Sequence, residues 1–398
     1  MQLCCSTTSL RKYVLHFLVF ISVAIVLLIY NTEIQQTLSN KIPFVINRSC
    51  FNGMQREPVI LAWTAFFSQN LDQVLRNALT DCPFNCEIRK RDDYHSCQDE
   101  DADAIVFHLR NVIVSDLPSQ RQPEQHFVSF LLESPIHAGS ELLEIPRDYF
   151  NTTLGYQLVP GSYAWTYGAF YPTNETTRSS LSNWTTVTDQ QIAEAVKKKK
   201  DVAYALISNC ETNSKRETYI TALKGHMNLT LRGDCYEKEE NKLSQKCNAS
   251  CEQNLSQSHF FYLAFENSVC NGYVTEKFFR IAHLIVPVVL RRAILKGIAP
   301  DSSFVAADDF STPKELANFL VFASENTTRY LEFFDWTKHF YRDMPQNNRG
   351  VCDLCRDLHY RNVSSPWRNR SSNIQEYYST EQCDEGVGEK LAQSQAEV

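Results

Sequence analysis

Short apolar runs alternate with amphipathic stretches from residue 58 onward. Residues 59–63, 103–108 and 127–132 are continuous apolar runs of strand length, the pattern of strands covered on both faces. Residues 70–79 between the first two carry helical spacing, whereas no helical period emerges over 136–160. Residues 172–188, rich in Asn, Ser and Thr, read as a surface loop. Residues 190–200 predict a helix ending in four lysines, a solvated end that suits the helix dipole. A second series follows: a strand over 202–207 closing on Ser208-Asn209, a helix over 215–227, a short strand over 228–232, and a polar loop over 237–258. Residues 260–265 then form another buried strand, and Glu266, Asn267 and Ser268 crowd its carboxyl end. Thr275 suits an N-cap, and Phe278, Ile281, Ala282 and Ile285 share one face of the helix it would start. Val286-Pro287 ends that helix and Val288-Val-Leu290 is the next strand. A strand over 303–307 and helices over 313–324 and 329–341 complete the series. Strands and helices alternating twice predict an α/β protein of two doubly wound domains flanking a cleft, with the boundary near residue 195.

Residues 13–30 are uncharged and mostly apolar, about 27 Å as a helix and so close to bilayer thickness. Arg11 and Lys12 precede the run, which predicts a cytosolic N-terminus and a lumenal remainder. A cleaved signal peptide is the alternative. Cys4 and Cys5 are candidates for acylation. Fourteen cysteines and ten Asn-x-Ser/Thr sequons (Asn47, Asn151, Asn174, Asn183, Asn228, Asn248, Asn254, Asn326, Asn362 and Asn369) place the chain in an oxidising secretory compartment. The net charge of −7 excludes nucleic acid as a natural partner.

No Gly-rich phosphate loop is present, so any phosphate must be held by side chains and helix ends. Lys277, in the first turn of a helix, opposes the dipole unless it faces an anion. Arg216 stands in the matching place after the preceding strand, and the two could clamp a diphosphate. The plainer alternative is a pair of surface cations. Glu133, Glu266 and Glu276 sit beside strand ends, where a carboxylate can act as a general base or serve as a cap. Asp101-Ala-Asp103 has the spacing of a metal-binding DxD motif, but its acidic run reads as a solvated turn. Cys352-Asp-Leu-Cys355 lacks a partner motif for zinc and reads as disulfide cysteines.

Residues 261–277 together with Val286-Pro-Val-Val-Leu290 resemble the signature of the Golgi α1,3/4-fucosyltransferases, in an invertebrate-like form. Ile60-Leu-Ala-Trp-Thr64, Ala104-Ile-Val-Phe-His108, Leu132-Glu-Ser-Pro135, Ser208-Asn209 with Arg216 and Tyr219, Asp309-Phe310 and the CxxC at Cys352 continue the resemblance in order. The resemblance implies two Rossmann-like domains of the GT-B type behind a transmembrane signal-anchor and stem. The segments are a cytosolic tail (1–12), anchor (13–30), stem (31–57), acceptor-side domain (58–195), GDP-fucose-binding domain (196–345) and CxxC tail (346–398). It further implies a single-pass type II Golgi enzyme transferring fucose from GDP-fucose, with inversion, in α1,3 linkage to GlcNAc of glycoprotein glycans. In these roles Arg216 and Lys277 hold the diphosphate and Asn267 and Glu276 contact the fucose. Tyr219 and Tyr273 line the donor pocket, and Glu133 takes the acceptor proton. No cofactor is required, although a divalent cation could stimulate. Cys352 and Cys355 would pair with cysteines among Cys82, Cys86 and Cys97, and Cys235, Cys247 and Cys251 suggest a separate bridge. One element departs: mammalian-type members carry Thr-Tyr-Arg-x-Asp-Ser-Asp where this chain has residues 154–162, with Gln157 replacing the Arg. The departure bears on acceptor choice, and the rival readings are a core α1,3-fucosyltransferase and an inactive lumenal glycan-binding protein.

Overall fold

The structure, a computed structural model, describes residues 56–91, 102–119, 121–157, 159, 161–173, 187–236, 247–280, 284–343, 349–360 and 373–393. The chain divides into two compact units. Every element below belongs to the one formed by 51–117 and 123–398; of the other, only 118, 119, 121 and 122 are described. The expected membrane run at 13–30 and the stem, apart from Arg56 and Glu57, lie outside the described residues, among which no helix is long and apolar enough to cross a membrane.

The first sheet comprises β1 (Val59–Ala62), β2 (Glu87–Lys90), β3 (Ala104–His108), β4 (His126–Leu131), β5 (Thr152–Gly155) and β6 (Tyr163–Ala164). Their order is β2-β1-β3-β4-β5-β6 and every pairing is parallel. Alternation along β1 sends Val59 and Leu61 into one apolar cluster and Ile60 and Ala62 into another, so both faces are covered. Helix α1 (Leu71–Ala78) buries Leu71, Leu75 and Ala78 on the second of these faces. β5 and β6 fall in and just after the stretch where no period is legible; Thr152 and Thr153 are buried polar residues there. β7 (Ala169–Pro172) leaves the sheet, and α2 (Asp189–Val196) starts at Thr188 with a capping box closed by Gln191.

The second sheet is built from β8 (Asp201–Leu206), β9 (Leu229–Arg232), β10 (His259–Leu263), β12 (Val286–Val289) and β13 (Val305–Ala306), all parallel in the order β13-β12-β10-β8-β9. β11 (Val269–Cys270) stands apart from it. Helices α3 (Arg216–Lys224), α4 (Ala249–Ser258), α5 (Glu276–Phe279), α6 (Pro313–Glu325) and α7 (Thr327–Leu331) intervene. The polar stretch expected to be a loop therefore ends in a helix, α4, capped by the Asn248 side chain. Val286 and Pro287 belong to β12 rather than ending the preceding helix, and α5 is a single turn. The helix expected over 329–341 gives way to a 3₁₀ turn and to β14 (Phe340–Asp343), which pairs antiparallel with β7. The four lysines are not uniformly solvated. Lys199 is buried, its ammonium donating to the Ser256 and His259 carbonyls at 2.9 and 2.8 Å. Those carbonyls lie at the C-terminal end of α4, where a cation is favoured.

The C-terminal region is structured. Helix α8 (Arg349–His359) places Val351, Leu354 and Leu358 against the first sheet, and the bridges Cys82–Cys352 and Cys86–Cys355 bind it there. Helix α9 (Ile374–Tyr377), β15 (Cys383–Asp384) and α10 (Val387–Gln393) follow, and β15 pairs antiparallel with β11. Two further bridges, Cys210–Cys235 and Cys247–Cys251, border the carboxyl ends of β8 and β9. A fifth, Cys270–Cys383, joins the loop after β10 to the tail.

Candidate active site

A cleft of about 410 Å³ opens at the carboxyl ends of β8, β9 and β10. Such an end, facing the first turns of the following helices, is where open α/β sheets bind ligands. Ser208, Asn209, Asp234, Asn267, Glu276 and Lys277 contribute to its walls, with Arg216 at its inner side.

Arg216 opens α3, and its side chain is turned inward, leaving the residue 3 % exposed. Its Nη1 donates to the Phe265 carbonyl at 2.6 Å and its Nη2 to the Asn209 carbonyl at 3.3 Å, while Nε is buried without a partner. Burial pulls the guanidinium below its usual range, partly offset by Glu266. Among the described residues it has no ion-paired carboxylate. A buried cation with an orphaned donor at the wall of a cleft is poised for an anion.

Lys277 shows how the sequence resolves its own misfit. Thr275 caps α5, and the Lys277 ammonium folds back to the Thr275 hydroxyl at 2.9 Å, to Glu266 at 2.9 Å and to Glu276 at 3.3 Å. Burial alone would depress the ammonium, but Glu266 and Glu276 outweigh it and hold it above the usual range. The anion that a lysine at this place needs is thus supplied, at least at rest, by two carboxylates. Glu266 is 3 % exposed and also accepts from the Thr275 N–H at 2.8 Å and hydroxyl at 2.7 Å. Its Oε1 is engaged in shaping the loop and its Oε2 is ion-paired with Lys277, so it is not a free base. Burial favours the neutral form of Glu276, but Lys277 and Arg280 prevail and keep its carboxyl below the usual range. Arg280 is itself paired with Glu252.

Glu133 follows β4 of the first sheet, is half-buried and makes no side-chain hydrogen bond among the described residues. Its neighbour joins the two halves: Ser134 Oγ donates to Ser268 Oγ at 2.9 Å in a buried contact, with His137 Nδ1 at 3.0 Å from Ser134. The residue after Glu133 and the residue after Asn267 are therefore in direct contact. Tyr167, whose hydroxyl donates to the Leu132 carbonyl at 3.2 Å, has its phenol held above the usual range first by burial and then by Glu276, Glu133 and Glu266 together. That one phenol senses Glu133 from the end of the first sheet and Glu266 and Glu276 from the second puts these carboxylates within one electrostatic neighbourhood.

The structure thus brings Arg216, Asn267, Glu276 and Lys277 to one cleft; Glu133 is not among its lining residues and is tied to the Asn267 loop through the Ser134–Ser268 contact of its neighbour. Tyr219 and Tyr273 do not line it. Tyr219 is 1 % exposed with its ring edge-on to Phe265, and Tyr273 is packed edge-on to Tyr156, which follows β5. Both are core residues that shape the walls from behind. Asp103 is buried and not a solvated turn: it accepts from the Val59 N–H at 2.8 Å and from Arg56 at 2.8 Å, while Asp101 lies outside the described residues. Asn228, Asn248 and Asn254 are exposed, and Asn326 and Asn151 are half-buried, their Oδ1 atoms accepting from the Arg329 and Phe127 N–H groups. Asn47, Asn174, Asn183, Asn362 and Asn369 lie outside the described residues. Ser134 and Ser268 lie inside elements the resemblance rests on, but nothing in the sequence pairs them, and Tyr167 carries no sequence signal that would mark it.

Residues 196–376 match the family described as glycosyltransferase family 10 (fucosyltransferase) C-term, and residues 55–164 match fucosyltransferase, N-terminal. The chain belongs to the family 10 fucosyltransferases. It is 32% identical over 317 residues to alpha-(1,3)-fucosyltransferase fut-1 of Caenorhabditis elegans, an alignment covering 75% of this chain and 64% of that relative. It is 30% identical over 290 residues to the human 4-galactosyl-N-acetylglucosaminide 3-alpha-L-fucosyltransferase FUT6, covering 70% and 72% of the two chains. A crystal structure of an α1,3-fucosyltransferase with GDP-fucose superposes with a TM-score of 0.49 at 14% identity, over 81% of this chain and 97% of that one. The two family matches meet this fucosyltransferase's two parallel sheets, one each.

Proposed function

We propose that this fucosyltransferase transfers fucose from GDP-fucose in α1,3 linkage to a GlcNAc residue of glycoprotein glycans, with inversion at the anomeric carbon. The reading rests on one observation above all. The Glu133 strand end and the cationic cleft meet through the Ser134–Ser268 hydrogen bond. Two Rossmann-like domains would then face each other in the GT-B manner, with donor in the second and acceptor against the first.

In the proposed step the acceptor hydroxyl attacks fucose C1 while the C1–O bond to the diphosphate breaks. Glu133 takes the hydroxyl proton, and GDP leaves with the bonding electron pair. Attack from the face opposite the leaving group needs one base and no covalent intermediate, which gives inversion. Negative charge grows on the β-phosphate as the bond breaks. Arg216, with its orphaned Nε, and Lys277 would meet that charge, and donors fixed before the reaction stabilise it without reorganisation. We propose that these cations make a divalent metal unnecessary. We also propose the type II Golgi topology, with residues 13–30 as the membrane anchor.

The test is fucose transfer from labelled GDP-fucose by the full chain in detergent, offered lacto-series and chitobiose-core acceptors with and without EDTA. Transfer to a GlcNAc hydroxyl that survives EDTA supports the reading. No product from any GlcNAc-containing acceptor would overturn the activity, and loss in EDTA would overturn the metal-free mechanism.

A further inference from the structure

We propose that the C-terminal segment 373–393 is a strap that fixes the donor clamp in its working geometry, by holding the left-handed turn from which Arg216 springs. The inference rests on the donor-cleft reading above and adds a positioning role for residues far from it in sequence.

The strap spans both domains. At its start Ile374 is fully buried in the core of the first sheet, and Gln375 donates to the Ile145 carbonyl at 3.2 Å. Tyr377 and Tyr378 donate their hydroxyls to the carbonyls of Gln157 at 3.0 Å and Leu131 at 3.3 Å. Leu131 is the last residue of β4, two before Glu133. The strap then crosses. β15 pairs with β11 inside the loop that carries Asn267 and Lys277, the Asn271 N–H donates to the Gln382 carbonyl at 3.0 Å, and the Cys270–Cys383 bridge makes the crossing covalent. Finally, Gly386 and Gly388 donate backbone N–H bonds to the carbonyls of Asn213 at 2.9 Å and Ser214 at 2.7 Å, and α10 packs along α3.

The contact that matters is the last. Lys215, the N-cap of α3, has φ 52° and ψ 33°, a left-handed conformation that a side-chain-bearing residue holds only when its surroundings impose it. Its own side chain provides no cap bond. Instead the turn is pinned from outside. Ser214 is held by the Asn267 carbonyl at 3.0 Å, by the Glu266 carbonyl at 2.7 Å and by the Gly388 N–H. Gly388 lies so close that a Cβ there would overlap the Lys215 carbonyl and crowd the Arg216 N–H. Only glycine lets the strap seat against the turn. Arg216 then leaves the turn in the one direction that carries its guanidinium under Phe265 and Asn209, into the cleft.

If the strap imposes the turn, weakening the strap must weaken the donor clamp, and a residue that holds the turn unaided must restore it. Two perturbations test this in the full chain. Gly388→Ala pushes the seat apart. Cys270→Ala with Cys383→Ala removes the covalent hold without adding bulk. Each is expected to raise the KM for GDP-fucose and the Kd for GDP at least fivefold, with the acceptor KM within twofold of the parent. Adding Lys215→Gly to the bridge-less variant is expected to bring the donor constants back to within twofold, because glycine adopts the left-handed turn freely. Glu389→Ala, exposed on the outer side of α10, is the control expected to change nothing. Unchanged donor constants in both strap variants, or no recovery with Lys215→Gly, would overturn the inference. Calorimetric binding of GDP to the parent chain separates the two readings. A parent that fails to bind GDP overturns the donor site itself and the strap with it, whereas a parent and strap variants that bind equally leave the donor site standing and remove only the strap.

Discussion

The Glu266–Lys277 pair gives the sharpest quantitative test of the site. Glu266 is 3 % exposed and divides its work between two oxygens: one holds the Thr275 N–H and hydroxyl at 2.8 and 2.7 Å, the other the Lys277 ammonium at 2.9 Å. Glu266→Gln can keep the first oxygen's bonds but turns an amide N–H₂ toward the ammonium, donor against donor. Loss of that charge-assisted bond costs about 2–3 kcal/mol of stability, moderated because Lys277 retains Glu276. Lys277→Met leaves the Glu266 carboxylate buried and half unpaired, a loss of about 3 kcal/mol. The double variant removes both charges, and its loss is expected to be smaller than the sum of the two by about 1–3 kcal/mol. Equilibrium urea unfolding of the four proteins measures the cycle. Additivity within about 0.5 kcal/mol would refute the claim that these two groups hold each other. A second readout follows from the proposed chemistry: GDP offers Lys277 the anion it has lost, so GDP should raise the unfolding midpoint of Glu266→Gln more than that of the parent.

Four further outcomes are expected. Glu133→Gln should lower kcat by about 10²–10⁴ while the GDP-fucose KM and the melting temperature hold, and near-normal turnover would remove Glu133 from the role of base. Ser268→Ala breaks the buried contact with Ser134 and should lower kcat/KM with a stability loss of about 1 kcal/mol, read by kinetics and melting in parallel. His108 is fully buried with Nε2 unpartnered, and burial pushes its imidazole down to about 4 from 6.5. Because the unfolded chain binds the proton first, stability is full above pH about 6.5 and is lost as pH falls toward 4, by about 3 kcal/mol for this group, and His108→Phe should flatten that limb of the unfolding curve. The bridges Cys82–Cys352 and Cys86–Cys355 close nearly the same long loop, so removing either pair should cost only about 2–3 kcal/mol and removing both about 8, a non-additivity that urea unfolding would expose.

The strands that carry the site were legible in the sequence because burial on both faces writes continuous apolar runs, as in β1, β3, β4, β8 and β10. The strands that were not legible have a reason. β2 reads Glu-Ile-Arg-Lys at a sheet edge, and β5 reads Thr-Thr-Leu-Gly, where buried threonines bond to Ser129 and the Gly161 carbonyl and no apolar run forms. Helix α4 was hidden because its face toward the domain is mostly polar, with Ser256 buried against the Tyr204 hydroxyl at 2.7 Å. Periodicity reports what is apolar. It is silent about a helix that docks through hydroxyls.

The site divides along the same line. Arg216 and Lys277 could be picked out because a cation in the first turn of a helix contradicts the dipole, and a local contradiction is visible in a local window. What joins the Glu133 strand end to them includes a hydroxyl–hydroxyl contact between residues 134 positions apart, and no window contains it. Gln157 is the instructive case between these extremes. Its departure from the arginine of mammalian-type relatives looked in sequence like a loss. In the structure its amide nitrogen donates to the Gln382 side chain at 3.2 Å and to the Asn271 carbonyl at 3.3 Å, and its own carbonyl takes the Tyr377 hydroxyl at 3.0 Å. Every partner is neutral, and two of them belong to the tail. An arginine at this half-buried place would bring a charge to a junction that offers no carboxylate among these partners. The glutamine and the tail that receives it are therefore one structural solution written in two distant places. A tail that reaches both the strand leading to Glu133 and the turn leading to Arg216 gives the chain a third element, besides its two sheets, through which those two places are tied together.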